Sequence, residues 1–195
     1  MMELLIATHN PGKKREYAQI LAGLDLKLRT LDEIGITVDI EETGETFVEN
    51  ARLKALGYMQ LSGLPTLADD SGLEVAALQG EPGVYSARYG GLKGEAQLRY
   101  LLQKLDGVPL HQRLARFVCV IALMRPGDSE PVYVEGVLPG VIEFEMRGTN
   151  GFGYDPLFYV LDANKTLAEM SDADKNAISH RAAAAREARA VIARW

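Results

Sequence analysis

"TLADDSGLEV", residues 66–75, runs an apolar stretch into two adjacent aspartates and resumes, past Ser71 and Gly72, with a second apolar stretch. Carboxylates at such depth are costly unless something nearby pairs with them. Successive strand side chains point to opposite faces, so Asp69 and Asp70 should not both ligate one ion. One faces a site, while the other is held by hydrogen bonds or serves a separate role. A turn or solvated cap is the competing reading of an acidic pair, and the apolar lead-in Leu64-Pro65-Thr66-Leu67-Ala68 favours function. The pattern predicts two strands, at 65–69 and 74–78.

Working outward, residues 3–8 read as a first buried strand. Asn10-Pro11 then opens a helix, since Asn is a favoured N-cap and proline fits the first helical position. Tyr17, Ile20, Leu21 and Leu24 recur at helical spacing, with Gly23 near the stop. A short strand is predicted at 26–29. Thr46 and Glu49 form a capping box that opens a helix to about Leu61, its inward face carrying Phe47, Ala51, Ala55, Tyr58 and Met59. Leu98, Leu101, Leu102 and Leu105 line another helix, ended by Gly107. Residues 117–124 read as a strand covered on both faces. A turn at Pro126-Gly127-Asp128 leads to strands at 132–138 and 141–146, and a final helix reaches Trp195. The expected class is α/β, a mixed sheet with flanking helices in one domain spanning 1–195.

Bulk properties narrow the partners. A net charge of −6 over 195 residues argues against general affinity for nucleic acid or anionic membranes. Cys119 is the only cysteine, so no disulfide can close within the chain, as suits a reducing compartment. The apolar run at 4–7 is too short for a signal peptide and no stretch could span a bilayer. The expectation is a cytoplasmic protein acting on a small molecule.

Four further constellations carry chemistry. In "THNPGKKRE", residues 8–16, Lys13, Lys14 and Arg15 crowd a helix N-terminus, where the dipole disfavours cations. An anionic ligand on Lys13 would resolve the conflict; solvated surface cations are the alternative. Glu41 and Glu42 precede the capped helix, whose Glu49 is occupied by the cap. A carboxylate from this pair and one from the aspartates would suit Mg²⁺, which usually takes only one or two protein carboxylates. Lys54 either snorkels to water or reaches phosphate. "GTNGFGYDP", residues 148–156, is either a ligand loop offering Phe152 and Tyr154 for stacking or a tight turn pinned by aromatic packing. Finally, Lys175, His180 and Arg181 would diverge on one unbroken helix, so contact with a shared ligand requires a break near Ser179.

These motifs together resemble the inosine-triphosphate pyrophosphatase family. The similarity is carried, in order, by residues 8–13 (THNPGK), 41–44 (EETG), 47–51 (FVENA), 68–72 (ADDSG), 85–89 (YSARY), 151–156 (GFGYDP) and 179–181 (SHR). The resemblance implies hydrolysis of ITP, dITP and XTP to the monophosphate and pyrophosphate, with Mg²⁺, by a homodimer. It implies an elongated α/β fold of two lobes around a central cleft. On the matching positions, Thr8, His9, Asn10, Pro11, Gly12 and Lys13 would bind the triphosphate. Glu42 and Asp70 would serve the metal, with Asp70 as proton acceptor. Ser71, Phe152, Gly153, Tyr154, Asp155, Lys175, His180 and Arg181 would bind substrate. Ala182 departs from the glycine of many relatives.

Within that frame Lys13 stabilises charge on the leaving pyrophosphate, and Asp69 supports Lys54 or the attacking water. Asp69 also remains a candidate proton acceptor. Donors from Arg181, His180 or backbone would favour the 6-oxygen of hypoxanthine and xanthine over the amino group of adenine. A pyrophosphatase for modified pyrimidine nucleotides and a non-enzymatic nucleotide sensor are the rival readings.

Overall fold

The computed structural model describes residues 1–195. Strand β1 (Met2–Ile6) feeds helix α1 (Pro11–Ile20), and strand β2 (Leu26–Thr30) precedes helix α2 (Phe47–Ser62). Strand β3 (Thr66–Val75), helix α3 (Glu95–Lys104) and strands β4 (Leu114–Met124) and β5 (Val132–Ile142) follow. Two short strands, β6 (Phe158–Val160) and β7 (Lys165–Thr166), precede helices α4 (Asp172–Ile178) and α5 (His180–Ile192). No helix is long and apolar enough to cross a membrane.

The seven strands form one mixed sheet in the order β2-β1-β3-β4-β5-β6-β7. β1 runs parallel to both β2 and β3, with Leu4 opposite Leu28 and Leu5 opposite Thr66. Parallel neighbours cannot be joined by a tight turn, so each connection needs a crossover. Helices α1 and α2 are those crossovers. β6 runs antiparallel to β5 and β7.

Local chemistry sets the helix ends as expected. Asn10 caps α1, its side-chain oxygen accepting from Gly12 N and Lys13 N with Pro11 in the first turn. Thr46 and Glu49 close the capping box of α2, and Gly63 ends that helix in the left-handed conformation. Two expectations are corrected. Residues 66–75 form one unbroken strand, because Ser71 and Gly72 continue the ladder instead of turning, and Leu78 lies in a short 3₁₀ turn. Residues 132–142 likewise form one strand through Pro139-Gly140, ending before Met146. The break expected near Ser179 is present: two helices are parted there by an extended backbone of φ −62° and ψ 152°.

The chain divides into two compact units. The first comprises Met1–Asp70, Cys119–Gly136 and Arg181–Trp195; the second, Ser71–Val118 and Val137–His180. The first has its own core around Leu4, Tyr17, Leu67, Ile121, Ala185 and Ile192. The second packs Leu73, Leu101, Phe117, Tyr154, Phe158 and Leu167.

In the second unit, Gly148 (φ +79°) presses its Cα against the Ala168 backbone, where an added Cβ would sit 2.2 Å from the carbonyl carbon. At Gly151 (φ +74°) a Cβ would lie 2.1 Å from Asp155 Oδ2. These glycines are therefore required by the fold of the 148–156 loop itself. Gly148→Ala combines a positive-φ cost of roughly 1–2 kcal/mol with overpacking of about 1–3 kcal/mol. We expect a clear fall in the urea midpoint. Gly80→Ala, where φ is +93° but space is open, should carry only the backbone part.

Candidate active site

Strand alternation sends Asp69 and Asp70 to opposite faces of β3, and each meets its own lysine. Asp69 Oδ2 lies 2.6 Å from Lys13 Nζ and 3.8 Å from Arg181 Nε. Arg181 Nη1 in turn donates to Glu16 Oε2 at 2.5 Å. Cys119 Sγ sits 3.8 Å from the same Asp69 oxygen. Burial alone would raise the Asp69 pKa, but the charges of Lys13, Arg181 and Lys54 prevail and hold it well below the usual carboxylate range. The same burial, beside that negative charge, pushes the Cys119 thiol up to about 12, so it stays protonated.

Asp70 has a different environment. Its Oδ1 lies 3.3 Å from Lys54 Nζ and its Oδ2 accepts from Asn50 Nδ2 at 3.2 Å. Glu42 Oε1 takes Lys54 Nζ at 2.7 Å, so two carboxylates converge on one ammonium. Asn50 Oδ1 accepts Gly44 N at 2.8 Å, which ties the 42–44 loop to the start of α2. Asn50 and Lys54 lie one turn apart on α2 and so share a face. Burial raises the Asp70 pKa, with the Glu42 charge adding to it against the opposing pull of Lys54, Lys13 and Asn50. Adjacent aspartates thus have pKa values pushed in opposite directions, a pattern found where carboxylates perform different tasks. Lys54 resists the lowering effect of burial through Asp70, Asp69 and Glu42, and keeps its proton.

The α1 tip departs from the sequence-based picture in one respect. The Gly12 and Lys13 amides point at the Asn10 side chain, at 2.8 and 3.3 Å, so the cap itself uses them. Thr8 Oγ1 accepts from Asn10 N and stiffens the same turn. Lys14 pairs with Asp32, while His9 lies 3.3 Å from Asp32 and 3.6 Å from Asp39. Lys13 alone of the three basic residues points to the buried aspartate. The expectation that Asp69 supports Lys54 is corrected: its direct partner is Lys13, and Lys54 belongs to Asp70 and Glu42.

In the second unit the predicted substrate residues form their own set. Asp155 Oδ2 holds both Lys175 Nζ, at 2.6 Å, and the Phe152 amide, at 2.8 Å. Lys175 Nζ lies 4.4 Å from the centroid of the half-exposed Phe152 ring. Gly153 follows Phe152 in the left-handed region. Tyr154 is buried instead of offered for stacking, its hydroxyl donating to Ser86 O at 3.0 Å. Ser86 Oγ accepts Leu73 N, two residues beyond the half-buried Ser71. His180 stacks on Phe117, with centroids 4.8 Å apart and planes at 13°.

Two residues at the heart of these clusters had been given no role. Asn50 lies within the quoted 47–51 motif, and a buried Asn one helical turn before a buried Lys was the available signal. Glu16 sits one turn after Lys13 beside the inward Tyr17, and an acid on the buried face of α1 demands a cation. Glu41 is exposed, which leaves Glu42 as the glutamate that shares Lys54 with Asp70. No group of three or more His, Cys, Asp or Glu side chains gathers as a metal cage, here or elsewhere in the structure.

Comparison with known proteins bears on this arrangement directly. The Ham1 family model matches residues 4–191. A dITP/XTP pyrophosphatase of Geobacter sulfurreducens is 50% identical over 183 residues, covering 93% of this chain and 92% of its own. One from Bacillus cereus is 46% identical over 198 residues, covering 100% of this chain and 97% of its own. Among solved structures, a HAM1 protein from Coxiella burnetii superposes with a TM-score of 0.92 at 43% identity, covering 100% of both chains. With both sequence and fold matched end to end, this chain belongs to the Ham1 family.

Proposed function

We propose that the protein hydrolyses the non-standard purine nucleoside triphosphates dITP, ITP and XTP to the nucleoside monophosphate and pyrophosphate. Carrying this reading is the near-full-length identity to enzymes named dITP/XTP pyrophosphatase. The two-faced carboxylate pair gives it chemical content. In the reaction a water oxygen bonds to the α-phosphorus, the α–β bridging P–O bond breaks, and the water gives up a proton.

Asp70 takes that proton in our reading. A base must hold a proton appreciably near working pH, and the raised Asp70 carboxyl is better placed than the strongly depressed Asp69. Asp69 instead fixes Lys13 and Arg181. An ammonium has three donors, and Asp69 accepts from one of those of Lys13, so the same lysine can also meet a phosphate oxygen. It would then stabilise the charge that grows on the leaving pyrophosphate. Thr8, His9, Asn10, Pro11 and Gly12 shape the turn that presents it. Phe152, exposed and set by Asp155 and Lys175, is assigned to the base, with Gly153 beside it. Ser71, Tyr154, His180 and Arg181 complete the proposed substrate set.

The donor set fits Mg²⁺. Glu42 and Asp70 converge on one cationic point, and Mg²⁺ commonly takes one or two carboxylates with water and phosphate oxygens completing its shell. Bound there, it would neutralise phosphate charge. A cytoplasmic homodimer is part of the same reading, and sedimentation checks the assembly.

A nucleotide panel tests the activity. Pyrophosphate should appear from dITP, ITP and XTP with Mg²⁺ and stop with EDTA. Equal turnover of ATP, or activity confined to pyrimidine nucleotides, sinks the proposal.

The aspartates should separate activity from stability. Asp70→Asn is expected to lower kcat by roughly 10²–10⁴-fold, as for loss of a general base. Because its folded pKa is raised, ionised Asp70 is a net cost at neutral pH, so this variant should keep or gain thermal stability. Asp69→Asn leaves half-buried Lys13 without its carboxylate and buried Arg181 with Glu16 alone, and should lose about 3–5 kcal/mol in urea melts. Its folded pKa is depressed, so the stabilisation is present above about pH 4 and lost as pH falls further. The gap to wild type should therefore be flat near neutrality and close in acid. A pH-independent gap would show that packing, not charge, is lost.

A further inference from the structure

Lys54 is buried where a divalent ion would have to sit. Its side chain is 11% exposed and its ammonium touches Glu42 Oε1 and Asp70 Oδ1, one oxygen of each carboxylate proposed above to serve Mg²⁺. Asn50 holds the other Asp70 oxygen and the Gly44 amide, so the carboxylates are set by a side chain that is not itself charged. The pair is thus aimed at a cationic point whichever cation fills it.

We infer that Lys54 is the resident stand-in for the metal: Mg²⁺ and the Lys54 ammonium compete for Glu42 and Asp70, and metal entry releases Lys54 to the triphosphate. This rests on the Mg²⁺ reading of the same carboxylates. An ammonium and a divalent ion cannot share two oxygens at contact distance, because their repulsion in a half-buried site is large. The swap is mechanically simple. Lysine carries its charge on a flexible four-carbon stem, and Glu42 lies outside any helix or strand. Ammonium–oxygen distances of 2.7 and 3.3 Å exceed the ~2.1 Å of Mg²⁺–oxygen bonds, so Glu42 closes in as the ions exchange. A freed ammonium beside bound metal then finds its counter-charge in phosphate oxygens. Nucleotide and metal would therefore favour each other's binding, and without metal the lysine stays latched.

The test is calorimetric titration of Mg²⁺ alone into nucleotide-free protein. Lys54→Met removes the competing charge at similar volume and should bind Mg²⁺ at least tenfold more tightly than wild type, while turning over more slowly. Lys54→Arg keeps the charge and should stay within about threefold of wild type. Equal or weaker Mg²⁺ binding by Lys54→Met overturns the exchange. Glu42→Gln and Asp70→Asn, made in the Lys54→Met background, test the underlying site. If neither weakens Mg²⁺ binding, the metal reading itself fails, a result distinct from failure of the exchange alone. Should Lys54→Met not fold, wild type still decides. Acetylation of Lys54 by acetic anhydride, read by peptide mass spectrometry, should rise several-fold on adding Mg²⁺ and stay flat in Asp70→Asn. No rise in wild type refutes the release.

Discussion

The alternation of side chains along β3 is the constraint on which the candidate site depends. Two aspartates one residue apart cannot face the same way, so the chain must supply two buried environments within the first unit. One is built by α1 and α5, which bring Lys13, Glu16 and Arg181 to Asp69. The other is built by α2 and the loop before it, which bring Asn50, Lys54 and Glu42 to Asp70. Identical functional groups have their pKa values pushed in opposite directions by what surrounds them. A one-residue slip of the strand would exchange the two environments and undo both.

In each unit the buried and half-buried cations named above are held by carboxylates. Lys13 rests on Asp69, Lys54 on Glu42 and Asp70, Arg181 on Glu16 and Asp69, and Lys175 on Asp155. Buried charges without partners are very costly, so a phosphate-binding protein needs internal counter-ions while it waits. The pairs hold the side chains in place before any ligand arrives. A polyanion that entered would compete for groups already positioned, which would limit the ordering cost of binding.

Much of this could be read in the residues because the signals are local. Asn10-Pro11, the Thr46/Glu49 box and the apolar runs of β1 and β4 each set an element within a few residues of themselves. The helix break at Ser179 was legible from the angle between Lys175 and Arg181. Less legible were features decided at long range. β6 and β7 have three and two residues, too few for any periodicity to register. Ser71 and Gly72 resemble a turn until a sheet on both sides draws them into one strand. The Lys13–Asp69 and Lys54–Asp70 assignments depend on which face of β3 each helix covers, and spacing along the chain does not contain that. The glycines at 148 and 151 left a ligand loop and a tight turn both open, and the Ala168 backbone and the Asp155 carboxylate occupy the space they leave.

Arg181 begins the last stretch of the first unit, and its guanidinium meets a carboxylate encoded 165 residues earlier. During synthesis Glu16 emerges from the ribosome long before the group that neutralises it. The first unit cannot be completed by its N-terminal half, nor cut out as a continuous fragment, since it takes in three separate parts of the chain. A chain short of its final helix therefore leaves Glu16 without its buried cation, a cost to closing the first unit before that helix is made.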